Sequence, residues 1–179
     1  QTLIFGGSNG TSFSTLWAFG GNAGAPSWSE LVSMAEVRSY AVMAFDALRG
    51  RAVLFGGVNY PGGVSTPVGD TWEWNGRYWN QQSVSSHPSA RWLHMMAYDA
   101  VNHRTILFGG ANSDQSEFHG DTWAWDGTGW TQIPTFGPSP RGLSAMAFDE
   151  HRGVIVLHGG RTSAGPNGEV IGDTWEFNV

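Results

Sequence analysis

A short apolar phrase that ends in two glycines recurs four times along this chain of 179 residues. The second glycines of the four copies lie 50, 53 and 50 residues apart. A constant period of about fifty residues is typical of repeat proteins in which each repeat forms one small β-sheet. The glycine pairs stand at Gly6 and Gly7, Gly56 and Gly57, Gly109 and Gly110, and Gly159 and Gly160.

Two further phrases repeat in register with the glycine pairs. A segment that begins with Arg and ends with Asp precedes the pair at Arg38–Asp46, Arg91–Asp99 and Arg141–Asp149. A Gly-Asp-Thr-Trp phrase follows the pair, and in two repeats a second tryptophan comes seven residues later. Gly-Gly alone is a weak signal, whereas this combination is specific. The residues concerned are Asp70, Trp72 and Trp79; Asp121, Trp123 and Trp130; and Asp173 and Trp175.

On these phrases the chain resembles bacterial kelch-repeat proteins over essentially its whole length. The resemblance implies an all-β, kelch-type β-propeller, with repeats similar to those of the galactose-oxidase central domain. About three and a half to four blades are expected, because a kelch repeat has roughly fifty residues. The expected organisation is a single kelch repeat array over residues 1–179, with blades at 1–35, 36–88, 89–138 and 139–179.

Each complete repeat is expected to contain four strands. In the second repeat an apolar run predicts strand one at Ser39–Phe45, and strand two ends in the glycine pair. We expect those glycines to need positive φ or to lie against a neighbouring blade. Thr71–Trp74 predicts strand three, and Asn75-Gly76, a dipeptide preferred in type I′ turns, leads to strand four with Trp79. Counterparts in later repeats are Trp92–Tyr98, Gly142–Phe148, Thr122–Trp125, Asp126-Gly127 and Trp130.

The two terminal repeats are incomplete in this pattern. The first lacks strand one and the last lacks strand four, so the predicted strand counts are three, four, four and three. Four full kelch blades need about 200 residues. Three explanations stay open: a piece of a longer propeller, a half-propeller completed by a second copy, or a four-bladed ring with two trimmed blades. Uncapped repeats expose strand edges, which predicts self-association through the incomplete terminal blades.

Repeated polar residues are given structural interpretations. The Asp that ends each strand one is expected to close the following turn with a nearby Arg. The pairs are Asp46 with Arg49 or Arg51, Asp99 with Arg104, and Asp149 with Arg152. Asp70, Asp121 and Asp173 each stand alone, without the several oxygen ligands of a calcium site. We interpret them as turn or strand-start residues that bond backbone amides.

Composition excludes several functional classes. The formal net charge is −6 with only 13% charged residues, and no basic stripe is present, which argues against a nucleic-acid partner. No apolar run of the length required for a membrane-spanning helix occurs. The absence of cysteine excludes disulfides and thiol chemistry. Low charge with abundant Gly, Ser, Thr and Trp favours an extracellular, periplasmic or cell-surface bacterial protein.

No catalytic or metal-binding motif is present in the sequence. The six histidines lie far apart without paired metal-ligand spacing, and no hydrolase, phosphate-binding or zinc-protease motif occurs. Galactose oxidase uses a tyrosine crosslinked to a cysteine, and this chain has no cysteine. We therefore expect no metal, no cofactor and no enzymatic activity, with a kelch-type hydrolase or lyase as a remote alternative.

The variable loops point to a binding function. Because strands alternate in direction, the loops between strands two and three emerge on the same face as the blade-to-blade linkers. These loops differ in sequence over a repeated frame, which is typical of function carried on a rigid scaffold. They are Ser8–Ser14, Val58–Gly69, Ala111–Gly120 and Arg161–Gly172.

Some kelch domains bind acidic peptides at this face, so the resemblance implies a binding module for a protein or glycan partner. In the alternative, the repeated arginines only pair with carboxylates or carbonyls of the next blade, or the chain is a structural subunit of a larger assembly. Trp92 departs from the repeat, since its matching positions are Ser39 and Gly142. The candidate residues on this face and at the channel mouth are Arg38, Tyr40, Tyr60, Arg91, Trp92, His94, Phe118, His119, Arg141 and Arg161.

Overall fold

A computed structural model of the chain describes residues 2–7, 13–20, 26–34, 36–112, 117–134, 137–162 and 168–178. Within these ranges the protein is all-β, with four antiparallel sheets that follow one another along the chain and do not close. Sheet 1 lies within residues 2–33, sheet 2 within 42–82, sheet 3 within 95–133 and sheet 4 within 145–177. A separate two-stranded hairpin, made of Val58–Asn59 and Thr66–Pro67, lies in a loop of sheet 2.

The strands are short, with two to seven residues each. The separate hairpin encloses a 3₁₀ turn at Pro61–Gly63. In chain order the strands are β1 Thr2–Phe5, β2 Thr15–Gly20, β3 Ser27–Ser33, β4 Val42–Asp46, β5 Arg51–Phe55, β6 Val58–Asn59, β7 Thr66–Pro67, β8 Thr71–Trp74, β9 Trp79–Gln82, β10 Met95–Asp99, β11 Arg104–Phe108, β12 Thr122–Trp125, β13 Trp130–Ile133, β14 Ala145–Asp149, β15 Val154–His158 and β16 Thr174–Phe177.

The four sheets contain three, four, four and three strands, as the sequence predicts. The predicted start of strand one is wrong by three residues, because β4 begins at Val42. Ser39 makes only an isolated bridge with Val58, and the following Tyr40 has a φ of 57°, so the backbone turns before the strand begins. Leu93 and Leu143, at the same positions before β10 and β14, both have a φ of 59°.

The turns before β9 and β13 also differ from the prediction. A type I′ turn needs positive φ at both central residues. Gly76 has a φ of 93°, but Asn75 does not have positive φ, and Trp74 pairs with Trp79 across a four-residue loop. The Asn75 side chain accepts hydrogen bonds from the backbone N–H groups of Arg77 and Tyr78 at 2.9 and 3.0 Å. The loop is thus closed by an Asx-type contact rather than by the tight dipeptide turn.

The predicted Asp–Arg hydrogen bonds are confirmed in the first hairpins of sheets 2 and 4. Asp46 accepts a hydrogen bond from the backbone N–H of Arg49 at 3.0 Å and from its Nε at 2.7 Å. Asp149 and Arg152 make the same two contacts. In sheet 3 the Asp99–Arg104 pair is longer, at 3.8 Å, because the side chain of Asn102 makes the direct hydrogen bond to Asp99.

The hydrophobic core is divided among the three spaces between successive sheets. The largest cluster, between sheets 2 and 3, contains Ala44, Val53, Phe55, Met96, Leu107, Trp125 and Trp130. Smaller clusters lie between sheets 1 and 2, around Leu16 and Trp74, and between sheets 3 and 4, around Ile106 and Ile155. Trp74, Trp79, Trp125 and Trp130 therefore contribute to filling the spaces between sheets.

Buried polar groups fix the position of sheet 3 on sheet 2. Trp130 Nε1 donates to Thr71 Oγ1 at 2.8 Å, and Trp125 Nε1 donates to Glu73 Oε1 at 2.9 Å. Glu73 is buried and also pairs with Arg49 at 2.7 Å, so its charge is compensated. These directional contacts select one arrangement of the two sheets.

The tryptophan that begins the fourth strand has a different environment in the space between sheets 1 and 2. Trp79 packs edge-on against Phe5, with ring centroids 5.5 Å apart, and contacts the cluster around Leu16. Leu16 pairs with Phe5 as Thr71 pairs with Phe55, so a leucine stands where the hydroxyl acceptor stands in sheet 2. The buried Nε1 of Trp79 consequently has no hydrogen-bond partner in the described residues.

Three buried arginines organise the starts of sheets 2, 3 and 4. Arg91 donates from Nη1 and Nη2 to the two carboxylate oxygens of Asp121 at 2.5 and 2.9 Å. It also donates to the carbonyl oxygen of Gly109 at 3.0 Å, and Asp121 accepts a further hydrogen bond from Trp123 Nε1 at 2.7 Å. We call this arrangement the Arg–Asp–Trp cluster. Its counterparts are Arg38, Asp70, Trp72 and Gly56 in sheet 2, and Arg141, Asp173, Trp175 and Gly159 in sheet 4.

The three aspartates therefore have side-chain partners that the sequence interpretation did not include. We expected them to bond backbone amides, but their carboxylates bind a guanidinium and an indole. Burial by itself raises the pKa of Asp121, but the hydrogen bonds and charge of Arg91 outweigh burial and lower that pKa. Hydrogen bonding to Arg141 lowers the pKa of Asp173 to about 2. All three carboxylates are thus ionised at neutral pH.

The backbone of each of the last two arginines binds the preceding sheet. The Arg91 N–H donates to Val68 O at 3.2 Å, and Arg91 O accepts from the N–H of Gly57 at 3.0 Å. Arg141 is bound in the same way, by His119 O and the N–H of Gly110. Arg91 and Arg141 therefore each join two sheets. The main chain of the arginine binds the preceding sheet, and its guanidinium binds the sheet that follows.

Both expectations for the glycine pair are confirmed in sheet 2. Gly56 and Gly57 have φ values of 63° and 96°, which favour glycine. A Cβ on Gly56 would lie 2.6 Å from Arg91 O, and a Cβ on Gly57 would lie 2.6 Å from Ser39 O. Glycine is required at both positions, because the next linker lies over Gly56 and the linker of the same sheet lies over Gly57.

Replacing Arg91 with methionine is expected to destabilise the protein strongly. The substitution leaves Asp121 charged and without its guanidinium partner. The loss should be about 3 kcal/mol, the lower end for breaking a buried ion pair, because 21% of the Asp121 side chain is exposed. Urea unfolding followed by tryptophan fluorescence measures the change. Arg152→Met is the control, since that arginine is exposed and its loss should change stability only slightly. Equal losses in the two variants would contradict the structural role of Arg91.

Thr71→Val should destabilise the protein, while Thr105→Val should not. Both threonines are fully buried, but Thr71 Oγ1 accepts a hydrogen bond from Trp130 and Thr105 Oγ1 has no hydrogen-bond partner in the described residues. Thr71→Val orphans a buried N–H, at a cost of about 1–3 kcal/mol, whereas Thr105→Val removes an unsatisfied hydroxyl and should be neutral or stabilising. Urea midpoints of the two variants test this difference. Similar destabilisation of both would refute the assignment of the Trp130–Thr71 contact.

Candidate functional site

The candidate site is the end of the sheets at which β4, β10 and β14 begin and β5, β11 and β15 end. We call it the loop face. The turn before each of β4, β10 and β14 lies here, and isolated bridges join it to the loop that follows the glycine pair. The bridges are Ser39–Val58, Trp92–Ala111, Ala111–Phe118, Gly142–Arg161 and Arg161–Val170. The loops are thus attached to the repeated frame at equivalent points in sheets 2, 3 and 4.

The candidate arginines lie beneath this face rather than on it. Arg38, Arg91 and Arg141 are each only 1% exposed, and their guanidinium groups are occupied by the Arg–Asp–Trp clusters. The alternative interpretation, in which they pair with carboxylates and carbonyls, describes their contacts correctly in kind. It is wrong about which blade supplies the partner. Each guanidinium binds a carboxylate of the sheet that follows its own linker, within the same repeat, and not a carboxylate of the next repeat. Because the charges of these three arginines are paired and buried, the arginines do not form a row of positive charge on the loop face.

An aromatic pair stands on the loop face at the junction of sheets 2 and 3. The rings of Tyr40 and Trp92 meet edge to face, with centroids 5.1 Å apart and planes at 64°. Tyr40 is 55% exposed, and Trp92 is partly exposed. Trp92 Nε1 donates to Asn112 O at 2.8 Å, which fixes the orientation of the indole. The aromatic pair therefore combines an exposed apolar surface with a fixed geometry.

Packing explains why the position of Trp92 differs among the sheets. Trp92 lies on a small cluster formed by Leu93, Ala111 and Phe118, all of them buried. The counterpart of Trp92 in sheet 4 is Gly142, where a Cβ would lie 2.8 Å from the Phe118 ring. A side chain is excluded at Gly142 because Phe118 already fills the space. Phe118 consequently supports the face from below and is not itself a contact residue.

His94 is enclosed beneath the same region. It is 3% exposed, its ring packs edge-on against Phe55 at 5.6 Å, and neither ring nitrogen has a hydrogen-bond partner in the described residues. Burial, followed by the charge of Arg91, lowers the pKa of His94 to about 3. The imidazole is therefore neutral at physiological pH and packs as an apolar group.

The remaining candidates surround the aromatic pair at different depths. Tyr60 is exposed at the tip of the loop that contains β6 and β7. His119 is half-buried, and burial, together with the charge of Arg91, lowers its pKa. Arg161 is half-buried and donates to Gly168 O at 3.4 Å. The predicted loops also include 8–12, 113–116 and 163–167, which lie outside the described residues.

Sequence reasoning missed the exposed apolar residues near the aromatic pair. Leu143 is 56% exposed at the register position of Tyr40, and Val170 is exposed in the loop bridged to Arg161. The apolar run predicts a strand over Gly142–Phe148 and does not reveal the positive φ of Leu143. Register alone does not identify its exposure either, because Leu93 at the same position is buried.

Comparison with known proteins gives a fold but no function. No protein-family model matches the chain, and no curated protein matches it. Among solved structures, the structure of YjhT matches with a TM-score of 0.70 at 14% sequence identity. The match covers 90% of this chain and 58% of the YjhT chain, so the chain spans less than two thirds of the length of that structure. At this identity the likeness concerns the arrangement of the sheets alone.

The described residues provide neither a cluster of metal ligands nor a membrane-spanning helix. No group of three or more His, Cys, Asp or Glu side chains in the described ranges is arranged to hold a metal ion. None of the helical segments in that part of the chain has the length and apolarity needed to cross a membrane.

His94→Ser is expected to reduce the sensitivity of stability to acid. With a pKa of about 3 when folded and 6.5 when unfolded, His94 binds fewer protons in the folded state between these values. Lowering the pH through this range therefore favours unfolding, by about 2 kcal/mol at pH 5 relative to neutral pH. Serine occupies the same position at Ser144, so the backbone accommodates it.

Urea unfolding of both proteins at pH 7, 6, 5 and 4 measures this effect. Groups that remain in both proteins, including His119 and the clustered aspartates, contribute equally and cancel in the difference. The free energy of unfolding of the unmodified protein should fall more steeply with acid than that of His94→Ser. Parallel pH profiles would show that His94 is not the enclosed neutral group described above.

Proposed function

We propose that the four sheets are consecutive blades of a kelch-type β-propeller and that the loop face is the binding surface of a non-enzymatic module. The partner is a protein or a glycan. The repeated Gly-Gly and Asp-Thr-Trp phrases and the likeness to the structure of YjhT support the architecture. The exposed Tyr40–Trp92 pair is the observation that carries the proposed function.

The composition of the loop face supports an apolar or ring-stacking contact. Tyr and Trp side chains are enriched at binding surfaces, where they supply large contact areas at low entropic cost. Tyr40, Trp92 and Leu143 present such area, while the arginine charges beneath are compensated by Asp70, Asp121 and Asp173. This arrangement favours a sugar ring or an apolar side chain over an acidic peptide. We place such a partner outside the cell or in the periplasm, in line with the low charge of the chain.

The irregular position of Trp92 strengthens this proposal. Residues required by the repeated frame recur in register, as the arginines and glycines do. Trp92 is matched by Ser39 and Gly142, so the frame is built equally well without an indole at this position. A large aromatic side chain that the other repeats do without, and that remains partly exposed, is typical of a contact residue.

The test compares ligand binding by the unmodified protein and by a double variant, Tyr40→Asn with Trp92→Ser. Asparagine tolerates the positive φ at position 40, and serine stands at the register position Ser39, so both changes are compatible with the fold. Both proteins are applied to an array of oligosaccharides and to a displayed library of random peptides. Ligands selected by the unmodified protein should bind the double variant at least tenfold more weakly.

Tyr78→Ala is the control for this experiment. Tyr78 is as exposed as Tyr40, at 56%, but lies in the β8–β9 turn at the opposite end of sheet 2. It should leave the affinity unchanged. Ligands that bind all three proteins equally, or that are lost equally in the control, would overturn the assignment of the loop face.

A further inference from the structure

The positive charges of this protein are distributed unevenly between the two ends of the sheets. The chain contains nine arginines and no lysine, and all nine arginines lie in the described residues. Three of them are the buried arginines of the Arg–Asp–Trp clusters, and one, Arg161, lies on the loop face. The other five lie at the opposite end, in or beside the turns β4–β5, β8–β9, β10–β11 and β14–β15: Arg49, Arg51, Arg77, Arg104 and Arg152.

Exposed carboxylates outnumber the arginine that remains on the loop face. Glu36 lies in the linker before β4, Glu117 in the loop after β11 and Glu169 in the loop after β15, and all three are exposed. Arg161 is half-buried and donates to a backbone carbonyl oxygen. The loop segments outside the described residues add Asp114 and neither arginine nor lysine. By formal charge, the loop face is therefore anionic at neutral pH.

One of these carboxylates lies in the linker that presents Tyr40. Arg38 donates to both carboxylate oxygens of Asp70 at 2.6 and 2.8 Å, and its Nη2 also lies 3.4 Å from Glu36 Oε2. One guanidinium thus faces two carboxylates and compensates the charge of only one. The Glu36 side chain is 56% exposed, so the excess negative charge is accessible from solvent.

A second carboxylate is connected to the other member of the aromatic pair. Trp92 Nε1 donates to Asn112 O at 2.8 Å, and Asn112 Oδ1 accepts a hydrogen bond from the backbone N–H of Glu117 at 3.3 Å. Asn112 therefore binds both the indole and the backbone of the residue that carries the carboxylate. Each ring of the aromatic pair is thus accompanied by an exposed carboxylate on a segment that is bound to it or continuous with it.

An aromatic surface beside carboxylates is complementary to a cation. The face of a tryptophan or tyrosine ring attracts a guanidinium or ammonium group, and nearby carboxylates add Coulombic attraction. Arginine suits both contacts, because its planar guanidinium stacks on aromatic rings and is weakly hydrated. The same carboxylates disfavour acidic peptides and anionic sugars. Proteins present guanidinium groups on their surfaces, whereas glycans chiefly offer hydroxyl and anionic groups, so the charge favours a protein partner.

We propose that the loop face binds a protein segment in which an arginine stands next to an apolar side chain. This inference rests on the proposed function, because the Tyr40–Trp92 pair is the same site, and it adds the charge of the partner. The arginine stacks on the aromatic pair between Glu36 and Glu117. The apolar side chain contacts Leu143, whose backbone N–H donates at 3.0 Å to the carbonyl oxygen of the residue after Trp92.

The test selects ligands for the unmodified protein from a displayed library of random peptides and resynthesises the strongest of them with a fluorescent label. Arginine should be enriched in the selected peptides over the starting library. A matched peptide carries citrulline in place of each arginine, which keeps the size of the side chain and removes its charge. Anisotropy should show at least tenfold weaker binding of the citrulline peptide, and high salt should reduce this difference.

Two charge variants of the protein locate the complementary carboxylates. Glu36→Gln with Glu117→Gln should weaken binding of the arginine peptide at least fivefold and leave binding of the citrulline peptide unchanged. Glu30→Gln with Glu150→Gln is the matched control, because it changes the net charge equally at exposed positions in β3 and in the β14–β15 turn. It should leave both affinities unchanged. Circular dichroism verifies that both variants fold.

Three results would overturn the cationic partner without deciding against the loop face. They are selected peptides without arginine enrichment, equal affinity for the arginine and citrulline peptides, and equal weakening by the two glutamine variants. In each case, loss of binding in the Tyr40→Asn and Trp92→Ser double variant would still support the proposed function.

The proposed function fails in a different way. Selected peptides that bind the aromatic double variant as tightly as the unmodified protein would contradict the loop face as the binding surface, and this inference with it. A library that yields no ligand would overturn this inference alone, because it requires a peptide partner. The oligosaccharide array would then decide the proposed function.

Discussion

The ion pair between an arginine in each linker and an aspartate ahead of the third strand is the interaction on which the rest of the structure depends. Arg91 shows the complete arrangement, because its guanidinium also binds Gly109 O and its backbone binds Val68 and Gly57 of the preceding sheet. Gly56 leaves room for this linker, and Gly57 leaves room for the linker that precedes its own sheet. Arg91 therefore contacts both neighbouring sheets at the point where the linker enters sheet 3 and the loops emerge.

This arrangement also determines the character of the loop face. Because each guanidinium is paired with a carboxylate and is buried, positive charge does not reach the surface at the three repeated positions. The surface is instead formed by side chains on the turns just above the clusters, where Tyr40 and Leu143 are exposed on backbone of positive φ. The paired charges lie below and the exposed Tyr40 and Leu143 lie above, so the character of this face is apolar rather than cationic.

Departures from the repeat carry information that the repeat itself does not. Trp92 stands where the frame needs no aromatic side chain, and it is part of the exposed pair. Leu16 replaces the acceptor found at Thr71, and the indole N–H of Trp79 has no partner as a result. Each case is visible only when the strands are aligned by their pairing.

The sequence by itself determined the all-β class, the strand count of each sheet and the Asp–Arg turns, since all of these follow from local patterns within one repeat. It did not determine the start of strand one, because the positive φ of Tyr40, Leu93 and Leu143 leaves no mark in an apolar run. Among the candidate residues, it left open whether the arginines lie on the surface or pair with carboxylates, and the structure shows them buried while Tyr40 is exposed. Arg91 and Asp121 are 30 residues apart in sequence, and His94 meets Phe55 from another repeat. Only the tertiary structure decided which candidates are exposed, because burial of a charge or a ring depends on contacts between segments that are distant along the chain.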